Sequence, residues 1–156
     1  MCGDITISSI SKKLKNTCQL MRQSWLVVFI ALLMSLPVSE SLAGEVWVAN
    51  MKGANVQVID TGSNKVVKTI ATGAGAHNVT FSPDGKLAFI ANLGTNSITI
   101  IDTLSKEILA DVVTDTKAHD VAVSPDGKLA VACNVGAGNI TFIDVASRKA
   151  VHTMAT

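Results

Sequence analysis

Tyrosine is missing from this 156-residue chain, and aromatic residues make up only 4% of it. Valine, isoleucine, alanine, threonine and glycine are plentiful instead, which favours β-structure with tight turns over helix. Neither a GxSxG elbow, an HExxH helix, a P-loop nor a CxxCH haem-attachment motif occurs. No catalytic residue is therefore assigned, and the residues name no cofactor. There is also no cluster of lysine and arginine. Residues 44–156 hold eight Lys and one Arg against eight Asp and two Glu, a net charge of 9 − 10 = −1. That balance leaves no electrostatic footprint for nucleic acid. Cysteine is scarce too: Cys2, Cys18 and Cys133.

Apolar runs are short. The longest is WLVVFIALLM, Trp25 to Met34, ten residues where a bilayer span needs about 20. It suits the core of a signal peptide, with Arg22 just ahead and Lys12, Lys13 and Lys15 further back. Ser41 and Ala43 supply the small residues that a cleavage site before Gly44 requires. Residues 1–43 are thus expected to be a signal peptide with an N-terminal extension, Met21 being an alternative start. Export to the periplasm or outside the cell follows, with no membrane span after cleavage near Ala43. Cleavage removes Cys2 and Cys18, so no internal disulfide can form. Cys133 takes the repeat position of Ala49 and Ala91 and is expected to be a small buried residue.

What the chain does have is a repeat. AHNVTFSPDGKLAFIAN, Ala76 to Asn92, returns as AHDVAVSPDGKLAVACN, Ala118 to Asn134, matching at 11 of 17 positions and offset by 42. Asn50, Asn92 and Asn134 keep the same offset, as do Asp60, Asp102 and Asp144. A period of roughly 40–45 residues is a signature of propeller blades. The repeats run 46–76, 77–118 and 119–156.

Turn residues divide each repeat into four short strands. The innermost is His77 to Phe81 and His119 to Val123. The second is Val46 to Ala49, Leu87 to Ala91 and Leu129 to Cys133. The third is Val56 to Ile59, Ile98 to Ile101 and Ile140 to Ile143. The outermost is Lys65 to Ala71, Glu107 to Val113 and Lys149 to Ala155. In the third strand positions 56, 58 and their counterparts are apolar, and 57, 99 and 141 are polar, a period of two. Ile59, Ile101 and Ile143 add apolar surface on the other face, as blades stacked on both sides require. The Ser-Pro-Asp-Gly segments at 82–85 and 124–127 read as turns, and Asp60, Asp102 and Asp144 as caps of the turns that follow them. Calcium binding is not indicated, because the alternating acidic ligands of an EF-hand are missing.

WVAN (Trp47 to Asn50), FIAN (Phe89 to Asn92) and VACN (Val131 to Asn134), each followed by a strand ending Ile-Asp, resemble the YVTN-type β-propeller repeat family. The resemblance covers about residues 45–156. It implies an all-β fold, a β-propeller of four-stranded antiparallel blades, here about 2.7 of them. Proteins similar to it include exported binding proteins, a periplasmic DNA-binding propeller, haem d1 domains and quinoprotein dehydrogenase subunits. Where the family has Pro-His-Gly, this chain has Ala76-His77-Asn78 and Ala118-His119-Asp120.

Those histidines are the candidate site. His77 and His119 begin the innermost strand of successive blades, at the channel mouth, where imidazoles can hold a metal or ligate a haem and Asp120 can add an oxygen. The competing reading has each histidine lock its blade to the next by hydrogen bonds to backbone, and two histidines meet no metal-spacing rule. His152, on an outermost strand, is expected to be solvated.

Two functions are open. The first is a non-enzymatic exported binding or scaffold protein for a protein or small-molecule partner. The alternative is part of a periplasmic oxidoreductase or cofactor-handling propeller of the haem d1 or quinoprotein kind. Eleven strands are counted, because the first repeat has no innermost strand. A fragment of a longer protein, or an oligomer, is expected; a dimer would still lack that strand in both first blades, which favours the fragment.

Overall fold

Short β-branched runs punctuated by turn residues give strands and nothing else in the computed structural model, which describes residues 44–156. The run expected to be a signal peptide, with Cys2 and Cys18, lies outside the described residues. The strands are β1 (Glu45–Asn50), β2 (Asn55–Asp60), β3 (Lys65–Ala71), β4 (Ala76–Phe81), β5 (Leu87–Asn92), β6 (Ser97–Asp102), β7 (Ile108–Val113), β8 (Ala118–Val123), β9 (Leu129–Asn134), β10 (Asn139–Asp144) and β11 (Lys149–Ala155). They form three antiparallel sheets ordered β1-β2-β3, β4-β5-β6-β7 and β8-β9-β10-β11. Among the described residues the fold is that of a partial propeller, with three strands in the first sheet and four in each of the others. β7 starts at Ile108, one residue later than expected, because Asp102 and Lys106 close the preceding turn and Asp102 N–H bonds the Glu107 carbonyl.

The 42-residue phase persists in the geometry. Trp47 pairs with Val58, Phe89 with Ile100 and Val131 with Phe142. Each third-to-outer strand pair carries a bulge at the same place, after Val58, Ile100 and Phe142. The caps form as expected: Asp60, Asp102 and Asp144 each accept from the backbone N–H and hydroxyl of Ser63, Ser105 and Ser147. In the Ser-Pro-Asp-Gly turns, Ser82 Oγ donates to Asp84 Oδ1 at 2.7 Å and Ser124 Oγ to Asp126 Oδ1 at 2.6 Å. Gly85 and Gly127 take the left-handed exit, with φ of 70° and 71°.

The core lies between blades. Between one and two, Val56, Val58 and Ile70 meet Ala76, Ala88, Ile90 and Ile101. Between two and three, Phe89, Ala91, Ile98, Ile100 and Val112 meet Ala118, Val121, Ala130, Ala132 and Ile143. Both faces of the third strand are therefore used, as its second isoleucine requires. One expectation fails here: Cys133 is exposed, not buried. Its counterpart Ala91 is fully buried because blade three covers it, whereas nothing among the described residues covers that face of blade three.

Candidate functional site

His77 and His119 are surplus residues in their ladders. In blade two, Ala76 pairs with Asn92 and Asn78 with Ala91, leaving His77 opposite no partner. In blade three, Ala118 pairs with Asn134 and Asp120 with Cys133, leaving His119 the same. A β-bulge frees one residue from the alternation of the strand and re-aims its side chain. Two bulges in phase bring the imidazoles together, with ring centroids 4.0 Å apart and planes tilted by 41°. His77 is exposed and His119 half-buried.

The supports lie on both sides of the pair. Gly75 precedes the bulge with φ of 74°, and a Cβ there would sit 2.7 Å from the Gly94 nitrogen. This close approach lets Leu93 N–H bond the Gly75 carbonyl at 3.0 Å and Gly94 N–H bond the Ala74 carbonyl at 2.9 Å. In blade three, Lys117 holds the same backbone at φ of 59°, and the equivalent bonds run from Val135 to Lys117 and from Gly136 to Thr116. Beyond the histidines, the Thr80 hydroxyl lies 2.8 Å from the Val121 carbonyl of the next blade and 3.0 Å from Asn78 Oδ1. Beneath them, the pairing partners Asn92 and Asn134 are fully buried. Asn92 Nδ2 donates to Thr99 at 2.7 Å, and Asn134 Nδ2 to Thr141 at 2.9 Å. The amide oxygen of each has no partner among the described residues.

The expected histidine-to-backbone bonds do not form among the described residues; the imidazoles meet each other instead, and their ring nitrogens stay available. Asp120 is exposed, its Oδ1 accepting from the Val121 N–H at 2.8 Å. The structure does not gather His77, His119 and Asp120 into a metal cluster: no group of three or more His, Cys, Asp or Glu suited to a metal is present among the described residues. His152 is exposed on β11, its ring 5.8 Å from that of Phe142. Asp84 and Asp126 are engaged in their turns, which hold both carboxyls below the usual range, chiefly through Ser82 and Ser124.

Sequence reading missed a clasp between blades one and two. Lys106 Nζ lies 2.7 Å from Glu45 Oε2 and 5.4 Å from the centre of the Trp47 ring. Trp47 in turn meets Phe81 edge-on at 5.7 Å. The signal was available in part, since Trp47 stands where the later repeats have Phe89 and Val131. The bulges had no signal, because hydrophobic alternation does not reveal which residue is left unpaired.

The three antiparallel sheets and the cores packed between them define an all-β protein of the propeller class. Within that class, the family model described as cytochrome D1 heme domain matches residues 44–156, and the chain belongs to that family. Among solved structures it is similar to Kuenenia stuttgartiensis hydrazine synthase, with 21% identity and a TM-score of 0.68 over 78% of this chain and 38% of that one. It is also similar to the dihydro-heme d1 dehydrogenase NirN in complex with DHE, with 22% identity and a TM-score of 0.65 over 72% of this chain and 24% of that one. The chain thus spans well under half the length of either. At these identities the likeness establishes the fold. No curated protein matches the sequence.

Proposed function

We propose that this chain is part of an exported haem d1-type propeller, in an oxidoreductase or a protein that handles the cofactor. Of the two functions open from sequence, membership of the cytochrome D1 heme domain family favours this one over a non-enzymatic scaffold. The periplasmic or secreted location rests on the apolar run Trp25 to Met34 and the small residues before Gly44. The YVTN-type pattern stays a description of the blade sequence, compatible with the haem d1 assignment.

The observation that carries the reading is the bulged pair. Imidazole is a haem ligand and, at neutral pH, a proton donor or acceptor. Rings 4.0 Å apart leave no room for an iron between them, because each metal–imidazole bond takes about 2 Å. The two side chains therefore act from one side: one ligates or both offer N–H groups to what lies over the channel mouth. The chemistry that a bound haem supplies is electron transfer and small-molecule activation. The protein's part is to fix the two imidazoles against each other and keep their nitrogens free of backbone.

Titration of the purified protein with haem d1, with b-type haem as comparison, tests this. Saturable growth of a shifted visible band with haem d1 is expected. An unshifted, non-saturating spectrum with both haems contradicts the reading.

A further inference from the structure

The two copies of the site differ in what flanks the histidine. Blade two reads Gly75-Ala76-His77-Asn78 and blade three Lys117-Ala118-His119-Asp120. Gly75 and Lys117 share a left-handed backbone, which glycine adopts freely and lysine at some cost. The turn gains nothing from the lysine, since blade two makes the same turn, with the same two backbone bonds to its loop, without one. Lys117 is nevertheless held firmly. Its N–H donates to Asn96 Oδ1 of blade two at 2.7 Å, and its carbonyl accepts from the Val135 N–H at 3.1 Å. The stem lies over Gly136, where a Cβ would come within 2.9 Å of Lys117 Cγ. The side chain is exposed and makes no ion pair among the described residues, unlike Lys86, Lys106 and Lys128. The carboxyls on either side of it are engaged elsewhere, Asp115 by Thr116 and Asn139 and Asp120 by the Val121 N–H.

The charge distribution sets this lysine apart. Lys65, Lys86, Lys106, Lys128, Arg148 and Lys149 stand by turns at the end of the blades opposite the histidines. At the histidine end the loops carry Lys52 and Lys117 alone among the described residues, and Lys117 is two residues from a bulged imidazole. We infer that Lys117 is the ionic anchor of the site, its ammonium taking a carboxylate at the rim of the tetrapyrrole that the histidine pair receives. This rests on the haem d1 reading above. Haem side chains end in carboxylates, and an unpaired ammonium meets one through a charge-assisted hydrogen bond. Asp120, on the far side of His119, repels the same group, so the carboxylate settles on the Lys117 side. Blade two has glycine at the equivalent place, which makes the anchor one-sided. Lys117 thereby selects the edge of the macrocycle that lies over blade three.

The test is spectrophotometric titration of the full-length protein with haem d1 and with haem d1 whose carboxyls are methyl-esterified, at low and high salt. Lys117→Gly, which copies blade two, should bind haem d1 about fivefold more weakly than wild type at low salt, the upper range for an exposed ion pair. The gap should narrow at high salt, and Lys117→Arg should close it. With the ester, wild type and Lys117→Gly should bind alike. Should Lys117→Gly fail to fold, Lys117→Gln replaces it. A wild type that binds haem d1 no better than the folded variant overturns the inference and leaves the haem d1 reading standing. So does a gap that persists undiminished with the ester, which would make the lysine a packing contact. A wild type that takes up no haem d1 overturns both.

Discussion

His77 and His119 are free because the chain around them is not. Asn92 and Asn134 sit fully buried opposite the bulges, each tied by its amide nitrogen to a threonine. Asn92→Ala removes that bond and the one to Ser97, leaving the buried Thr99 hydroxyl only its bond to Asp111, so a loss of about 1–3 kcal/mol is expected in denaturant unfolding. The aspartates act at the turns. Asp60, Asp102 and Asp144 have carboxyls held below the usual range, chiefly by Ser63, Ser105 and Ser147. Asp115 is held low chiefly by Asn139. A carboxyl depressed in the folded state contributes stability that is fully present above its ordinary pKa and is lost as pH falls through the depressed value. The melting temperature should therefore carry the full contribution of these groups above about pH 5, with no pH dependence from them there, and fall below about pH 4. Removing the serine hydroxyls (Ser63→Ala, Ser105→Ala, Ser147→Ala) should shrink the acid-dependent part of that fall; an unchanged profile would show that the caps do not carry it.

At the scale of strands and turns, most of the fold was legible. The 42-residue phase, the Ser-Pro-Asp-Gly turns and the alternation in the third strand place all eleven strands to within a residue at their starts, because each rests on local chemistry. What was hidden is what depends on a neighbour. Cys133 reads as a buried alanine substitute, yet its burial is decided by whether a blade covers it. The bulges at His77 and His119 are register events, set by pairing with Ala91, Asn92, Cys133 and Asn134, and no single strand encodes them. The turn before the site gives a contrast between equivalent positions. Gly75→Ala must place a Cβ 2.7 Å from the Gly94 nitrogen in a left-handed conformation, which alone costs about 1–2 kcal/mol. Thermal unfolding should show a loss of at least that size. Lys117, one period on, already tolerates a side chain at φ of 59° beside Gly136, so Lys117→Gly should change stability by less than about 1 kcal/mol.

Across the whole molecule, stability comes from faces between blades. Phe89→Ala opens a cavity in the sealed contact between blades two and three and should cost about 3–5 kcal/mol. Phe142→Ala, its equivalent on the face that no described residue covers, should cost clearly less, which comparative unfolding of the two variants will show. The same architecture carries the site, since two bulges act together only when adjacent blades stack in phase. The most direct test of this account is the double substitution His77→Ala, His119→Ala, followed by haem d1 titration and thermal melting on the same sample. Neither imidazole bonds the fold among the described residues, so the visible band should be lost while the melting temperature stays within a few degrees of wild type. A variant that melts far lower, or that takes up the haem as well as the wild type, would contradict the assignment of these histidines as the working part of the propeller.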